Sequence, residues 1–526
     1  MFEMERKIPH TMSTQHPDNA RSPSWCANSV VSGEDEVTEA CFAYSEMGCE
    51  EVMWDSEGKD VDTRVIRKML SKSPDYFEEN VIGRDIFLTY RLPNPRTEVS
   101  ERKVVLETLF NIPVAADVAS SFYGREVEPI FEVILPFTTC AEDLTRLHDC
   151  YVKGVSGFAD IPLNGSSTIA DWVGSIRPRD IQVIPLVEDM DSLLKIDRIV
   201  APYLDAVRPP YLRVFLARSD PALNYGMFGA VILSKISISK LSTLAEERRI
   251  EMHPIIGAGS MPFRGHLSPE NVSRFLEEYP GISTVTIQSA FKYDYDLTQV
   301  RRAIRTLNRR LPTEDPQTLS RDEETALESV VKKLMAGYQS TVEKLAPLIN
   351  SVARYVPPRR ARKLHIGLFG YSRTVRGIAL PRAIPFAAAL YSIGLPPEFI
   401  GARVLSDLSE DEWELLKKCY ANMKHDLTHV SQYLSWRNLQ MIGDMHSEVA
   451  RRACMSDQDL ECALGQLSVD LGVVEKNLGV KLGPRNLAQR KYENILCNFL
   501  IAYIEREDQE AEANLVRAAV LRKCLG

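Results

Sequence analysis

The sequence predicts an α/β protein built on a closed parallel (β/α)8, or TIM, barrel with additional helices, including a C-terminal helical appendage. Three observations predict it. Short apolar runs rich in Val, Ile, Leu and Phe recur along the first 370 or so residues, and most are followed by a segment long enough for a helix. Several of these runs break at their C-terminal ends into charge and turn chemistry. Tyr211–Gly226, YLRVFLARSDPALNYG, passes from Leu212, Val214, Phe215 and Leu216 straight into Arg218, Ser219, Asp220 and Pro221; Ile181–Asp191, IQVIPLVEDMD, ends in Glu188 and Asp189 in the same way. Parallel α/β enzymes place their chemistry just past the C-terminal ends of buried strands. Finally, no G-x-G-x-x-G follows any of the runs, which argues against a dinucleotide fold. An open doubly wound sheet shares the alternation, and periodicity alone does not separate the two.

Residues 1–30 are polar and turn-rich without a clear period, and read as a loop. From Ser32 the pattern is helical, with Val37, Ala40, Phe42 and Ala43 set among acids, and it ends at Gly48. Glu51–Asp55 reads as the first strand, Asp85–Arg91 as the second and Pro129–Pro136 as the third. Ile181–Glu188, Tyr211–Ala217, Glu251–Gly257 and Ser283–Gln288 follow as the fourth to seventh, and Lys363–Phe369 reads as the eighth. Leu267–Tyr279 opens on Ser268-Pro269-Glu270, a helix-start signal. Between the last two strand candidates, Leu311–Glu324 is polar and an amphipathic stretch runs through Val330, Leu334, Leu345 and Leu348. That interval reads as a helical insertion around 311–355. After Pro385 the pattern is wholly helical, with a capping box at Ser409–Glu412 and later helices through Leu460–Leu471 and Tyr492–Ile504. The division expected is a barrel over 1–394, with an N-terminal catalytic loop, and a helical region over 395–526 packed on it.

With 63 basic against 72 acidic residues the formal charge is −9, which does not suggest a nucleic-acid partner. No run of eighteen uncharged apolar residues occurs, so no membrane span is expected. Ten cysteines lack any C-x-x-C pair, and they read as reduced thiols of a cytoplasmic enzyme.

Glu188 and Asp220, each just past a buried strand, form the candidate metal site. Either acid alone would read as a salt bridge or a cap. Oxygen donors without a Cys/His cluster suit Mg²⁺ or Mn²⁺. Arg91, Arg264 (in the Gly-rich loop Gly257–Gly265), Arg373, Arg376 and Arg382 follow strand candidates and suggest a pocket for a small polyanion. Arginines are usually solvated surface, but five at strand ends in an acidic protein point to a site. His16 lies in a polar, proline-bounded loop and is a candidate general base, against the commoner structural role of a lone histidine. Lys292, in QSAFKYDYD, is ambiguous in the same way.

The strings TMSTQHPDN, EVMWDSEGKD, FLARSDPALNYG and GYSRTVRG…LPRAIPF together resemble the archaeal-type phosphoenolpyruvate carboxylases, and the likeness runs from Met12 to about Gly401. The resemblance implies a TIM-barrel enzyme, usually a homotetramer, that converts phosphoenolpyruvate and bicarbonate to oxaloacetate and phosphate with Mg²⁺ or Mn²⁺. His16 falls on the family's histidine-proline motif, Glu188 and Asp220 on its metal-binding acids, and Arg264 on its loop arginine, with a catalytic role. Arg373 and Arg382 fall on its substrate-holding arginines, and Arg91 on an arginine ending strand two. Two features depart from the larger bacterial and plant enzymes. Leu223 stands where they carry a lysine, and the Gly-rich loop has one arginine, Arg264, where they have two. Lys292 and Arg376 are candidates to supply the missing charge at the substrate. Other metal-dependent enolate barrels, and a binding protein that kept the fold without the activity, are the rival readings.

Overall fold

The computed structural model describes residues 6–56, 62–99, 102–361, 374–375 and 377–526. Eight parallel strands close into a barrel in sequence order: β1 (Thr11–Ser13), β2 (Glu51–Asp55), β3 (Phe87–Arg91), β4 (Glu132–Leu135), β5 (Gln182–Val187), β6 (Tyr211–Ala217), β7 (Glu251–Gly257) and β8 (Thr284–Ile287). The eight strands are followed in turn by α1 (Glu34–Phe42), α2 (Val65–Lys72), α3 (Val104–Tyr123), α4 (Ala141–Asp149), α5 (Ile196–Val207), α6 (Ser219–Arg248), α7 (Val272–Glu278) and α8 (Leu297–Arg310). The closed barrel, not the open sheet, is the architecture.

One strand assignment is corrected. The closing strand is Thr11–Ser13, which pairs with Val285–Ile287 of β8 on one side and with Glu51 and Val52 of β2 on the other. The run expected as the eighth strand, Lys363–Phe369, lies outside the described residues, and the barrel closes without it. Three residues, TMS, are too short and polar to register as an apolar run. Their extended form is imposed by neighbours, since Val285 N–H donates to His10 O and Thr14 N–H to Ile287 O. The long helix expected as an insertion, α9 (Arg321–Ala353), therefore follows a completed barrel.

Above α6 lies a helical layer: α9, α10 (Ala383–Ser392), α11 (Met423–Ser431), α12 (Asp457–Leu478), α13 (Leu487–Glu505) and α14 (Asp508–Arg522). Its presence explains why α6 is apolar on every side. An outer barrel helix normally keeps one polar face, but α6 is wrapped by the barrel, α9 and α10, and is long and apolar enough to cross a membrane by composition alone. Gly226 breaks α6 at φ +80°, and a Cβ there would lie 3.0 Å from the Tyr338 ring of α9. Tyr338 Oη donates to Leu223 O across the same contact. Helix α3 passes the same compositional test but leaves Leu106, Phe110 and Val114 exposed.

The barrel interior is stacked by strand alternation, in which every second side chain faces the axis. The lowest layer comes from the even strands, as Glu51, Glu132, Arg213 and Thr284. Arg213 donates to Glu51 Oε1 and Oε2 at 2.9 and 2.6 Å and to Glu132 Oε2 at 2.9 Å, and all four residues are buried. Two residues on along the strands, Met53, Ile134 and Phe215 join Met12, Ile184, Leu186 and Ile255 in an apolar plug. Two further on, β2 ends in Asp55 and β5 runs into Glu188, and these polar positions form the candidate site, whereas Ala217 of β6 still belongs to the plug.

Replacing Arg213 alone strands two buried carboxylates, so Arg213→Ala is expected to cost about 3–5 kcal/mol of unfolding free energy. The triple swap Glu51→Met, Glu132→Leu, Arg213→Met is expected to cost less, because no unpaired charge remains. Urea denaturation of both variants checks the order; a milder single than triple variant would contradict it.

Candidate active site at the C-terminal rim of the barrel

Continuing the alternation, Glu51 and Met53 lead to Asp55, Thr89 leads to Arg91, Ile184 and Leu186 lead to Glu188, and Thr284 and Thr286 lead to Gln288. The polar ends therefore converge over the apolar plug. Asp55 and Arg91 are register partners, and Arg91 Nε and Nη2 donate to the two Asp55 oxygens at 3.0 and 2.6 Å. This bidentate geometry fixes the guanidinium plane, and Arg91 keeps 15% of its side chain exposed at the rim.

Glu188 directly follows β5 and is buried, with Oε2 accepting the Phe137 N–H from the loop after β4 at 3.0 Å. Strand β5 pairs with β6 up to Val187↔Leu216. Asp220, in the first turn of α6 after β6, is thus delivered by the neighbouring strand. An acid in a first helical turn is also favoured by the helix dipole. Two carboxylates from adjacent strand ends make a hard-oxygen donor set that fits a Mg²⁺- or Mn²⁺-sized cation with water or substrate as the remaining ligands.

His16 sits partly exposed on the loop leaving β1, with Nδ1 2.8 Å from Thr14 Oγ1. The loop has almost no regular structure, so its position depends on side-chain staples. Gln15 Oε1 accepts the Asp55 N–H, Asp18 Oδ1 accepts the Ala290 N–H, and the Asp294 carboxylate accepts from Ala20 and Arg21. Burial raises the Asp294 pKa to about 7, against the pull of those two amides.

Lys292 belongs to this scaffold. Expected at the substrate, it is instead buried, with its ammonium donating to Ser13 Oγ, Thr14 O and Glu39 Oε1 at 2.9–3.0 Å. Two of the three donors go to the strand and loop that carry His16, and the third goes to Glu39 of α1. Glu39 accepts as well from Arg360 and from the Tyr293 hydroxyl. Burial opposes ionisation of Glu39, but the Arg360 and Lys292 charges prevail and hold its pKa near 2.

Arg264 is likewise a strut. It is 1% exposed, and its Nε donates to Ser219 Oγ at 3.0 Å, Nη1 to Asp18 Oδ2 at 3.0 Å and to Gly526 O at 2.7 Å, and Nη2 to Gln288 Oε1 at 2.5 Å. The Gly-rich loop wraps the guanidinium closely: a Cβ on Gly259 would lie 2.9 Å from Arg264 Cζ, and Gly265 sits at φ +120°. Expected at the substrate, Arg264 has Ser219, Asp18, Gly526 and Gln288 as its partners in this structure. Arg382 directly precedes α10 and is partly buried. Gly526 abuts the same turn, since a Cβ there would be 2.3 Å from Ile384 O. Arg373 and Arg376 lie outside the described residues.

Sequence reading missed Asp18, Asp55, Ser219, Gln288 and Gly526. Asp55 ends its strand just as Glu188 follows its own, so the same rule would have found it. Asp18 stands two residues after His16, and Ser219 directly precedes Asp220. Nothing local marks Gly526, whose place depends on the packing of α14.

A family profile described as phosphoenolpyruvate carboxylase matches residues 8–526. A phosphoenolpyruvate carboxylase of Metallosphaera sedula is 46% identical over 524 residues, covering 99% of this chain and 100% of the relative. One from Caldivirga maquilingensis is 44% identical over 521 residues, 99% of this chain and 100% of the relative. One from Methanospirillum hungatei is 50% identical over 430 residues, 82% of this chain and 87% of the relative.

A carboxyl held near pH 2 when folded and near 4.5 when unfolded contributes stability that is complete above pH 4.5 and fades as the pH falls toward 2. That contribution is about 3 kcal/mol. Glu39→Gln is expected to lose about this much at pH 7 and to show a shallower fall in urea midpoint between pH 4.5 and pH 2. An unchanged slope would show that Glu39 does not ionise against Lys292 and Arg360.

Proposed function

The chain belongs to the phosphoenolpyruvate carboxylase family, and we propose that the rim bearing His16, Arg91, Glu188 and Asp220 is where the family's reaction runs. The enzyme is a carbon–carbon lyase that joins phosphoenolpyruvate and bicarbonate to give oxaloacetate and inorganic phosphate, through carboxyphosphate and an enolate. The observation that carries the site assignment is the convergence of two strand-end carboxylates, a strand-end arginine and a stapled histidine loop over one apolar plug.

A divalent cation, Mg²⁺ or Mn²⁺, would be held by Glu188 and Asp220, and when bound it would supply positive charge against the enolate oxygen. The rest falls to the chain's own groups. Arg91, with its plane set by Asp55, and Arg382, joined by Arg373 and Arg376, neutralise phosphate and carboxylate and orient bicarbonate toward phosphorus. Bicarbonate oxygen attacks phosphorus and the enolate leaves, giving carboxyphosphate. With Nδ1–H donating to Thr14 Oγ1, His16 Nε2 takes the carboxyl proton; carboxyphosphate collapses to CO₂ and phosphate, and the enolate carbon attacks CO₂. Lys292 and Arg264 act as positioning residues, the first on the loop of His16 and the second on Asp18, Ser219 and Gln288.

The resemblance also implies a homotetramer. The exposed face of α3, with Leu106, Phe110 and Val114, continues onto Phe158, which meets Phe110 edge-on at 5.5 Å. Trp172 and Val173 are exposed in the following excursion, and these apolar residues suit burial between subunits. All ten cysteines are unpaired, in keeping with a reducing cytoplasm.

His16→Asn is expected to retain metal binding while oxaloacetate formation falls about 10²–10⁴-fold, the usual worth of a positioned base. The check is a coupled oxaloacetate assay run with and without bicarbonate; full retained carboxylation would remove His16 from the mechanism. Gly526→Ala forces a methyl against Ile384 O and displaces the acceptor of Arg264. Its kcat is expected to drop at least about tenfold while circular dichroism stays native, and wild-type turnover would show that Arg264 does not position the rim.

A further inference from the structure

The loop that carries His16 is gripped just past the histidine by two buried ions of opposite charge, one on each edge of the chain. Arg359 Nε donates to Asn19 O at 3.1 Å and Nη2 to Ala20 O at 2.7 Å. Asp294 Oδ2 accepts the Ala20 N–H and Oδ1 the Arg21 N–H, both at 2.7 Å. Two consecutive peptide units are thus each held at the carbonyl by Arg359 and at the amide by Asp294. The next carbonyl, Arg21 O, accepts from Asn19 Nδ2 at 2.7 Å. Asp294 and Arg359 are both buried. A peptide plane pinned at its N–H and its C=O by charge-assisted bonds cannot turn without breaking them.

Both ions are themselves anchored to one point. Asp294 follows the turn Ser289–Tyr293 after β8, and its N–H returns to Ala290 O at 3.0 Å. Lys292 and Tyr293 of that turn donate to Glu39 Oε1 at 2.9 and 2.8 Å. Arg359 lies in the coil after α9, where Val31 N–H donates to Arg359 O and Ala361 N–H to Val31 O. Its neighbour Arg360 donates from Nη2 to Glu39 Oε2 at 2.5 Å. Glu39 of α1 therefore ties together the two backbones that present Asp294 and Arg359. Upstream of His16 the loop is fixed as well, by Thr14 N–H to Ile287 O and by Gln15 Oε1, which accepts the Asp55 N–H. His16 stands between these anchors, and Pro17 beside it removes a torsion from the span.

We propose that Asp294 and Arg359 are positioning residues for the reaction, holding His16 at the carboxyphosphate by clamping the peptides of Asn19, Ala20 and Arg21. The inference rests on the reading of His16 as the base. Neither residue touches substrate. With His16 displaced, the attack of bicarbonate on phosphorus is left to Arg91 and the other rim arginines and still runs. Water then cleaves the carboxyphosphate to bicarbonate and phosphate, and the enolate takes a proton at carbon and ends as pyruvate. Loosening the clamp thus uncouples phosphate release from oxaloacetate formation, whereas general damage to the rim lowers both together.

The test measures bicarbonate-dependent phosphate release and oxaloacetate formation side by side on the full chain. Assays at about pH 8 keep Asp294, with its pKa of about 7, ionised. Asp294→Asn keeps one acceptor oxygen and turns a donor toward the second amide. Arg359→Gln removes the charge from the other edge, and Arg359→Lys keeps the charge without the fork. The native protein is expected to release about one phosphate per oxaloacetate, and each variant, like His16→Asn, at least about threefold more, with KM for phosphoenolpyruvate within about threefold of native. Circular dichroism is expected to stay native. The Asp294→Asn/Arg359→Gln variant is expected to fall within about twofold of the worse single one, because both act on the same peptides. A native ratio in the folded clamp variants, or losses that multiply in the double variant, would overturn the clamp while uncoupling in His16→Asn upheld the base. Native carboxylation in His16→Asn would overturn the reading of His16 and this inference with it. Loss of native circular dichroism in all three single variants would also overturn it, since the clamp would then hold the fold and not the loop.

Discussion

The rim proposed as the active site depends first on the buried guanidinium of Arg264. It joins four parts of the chain: Asp18 beside the His16 loop, Ser219 at the start of the Asp220 helix, Gln288 past β8, and Gly526, 262 residues away. A buried cation is tolerated only when paired and hydrogen-bonded. Each acceptor is therefore needed, and each comes from a different element. Loss of any one leaves donors unsatisfied, at a cost of about 1–3 kcal/mol or more for a charged group. That cost discourages the four segments from drifting apart.

The barrel explains why the proposed chemistry lies at one end. Polar groups occupy both ends of the interior, but under opposite conditions. At the lower end Arg213, Glu51 and Glu132 are closed in and meet mainly each other. Burial even raises the Glu132 pKa against the attraction of Arg213. The apolar plug of Met12, Met53, Ile184, Phe215 and Ile255 separates this layer from the rim. At the rim, Arg91 and His16 keep some exposure, so charge there can be offered to a substrate. Alternation along the strands thus supplies a stability layer, a seal and, at the ends of β2, β3 and β5, a polar rim.

How much of this was legible follows the same physics. Seven of the eight barrel strands showed as apolar runs because parallel strands buried on both faces cannot be written otherwise. The eighth, Thr11–Ser13, did not, since its extended form comes from β8 and β2 and not from its own composition. Glu188 and Asp220 stood out as candidates because each follows such a run, and His16 because it lies in a proline-bounded polar loop. Lys292 and Arg264 were read as substrate groups, and their buried acid partners Glu39 and Asp18 were not foreseen, for a common reason. A basic residue after a strand looks the same in sequence whether its partner is a ligand or a buried acid, and Glu39 and Asp18 are distant in the chain. The 311–355 region, expected as a helical insertion before a last strand, carries the helix Arg321–Ala353, which follows β8.

The helical layer is then part of the site's construction. Residues 524–526 descend from α14 to the rim, where Leu525 N–H donates to Asp18 O and Gly526 accepts from Arg264. Closing so long a loop costs little more than closing a short one, since each doubling of length adds only about 0.6 kcal/mol. The contact can therefore be distant without being weak. Its consequence is one of order: the His16 loop and the guanidinium that braces it are fully satisfied only after the last helix has docked. A barrel without that layer would retain Glu188 and Asp220 at its strand ends but leave Arg264 short of an acceptor. The carboxylates of the rim are thus properties of the barrel, whereas the geometry around His16 is a property of the whole fold.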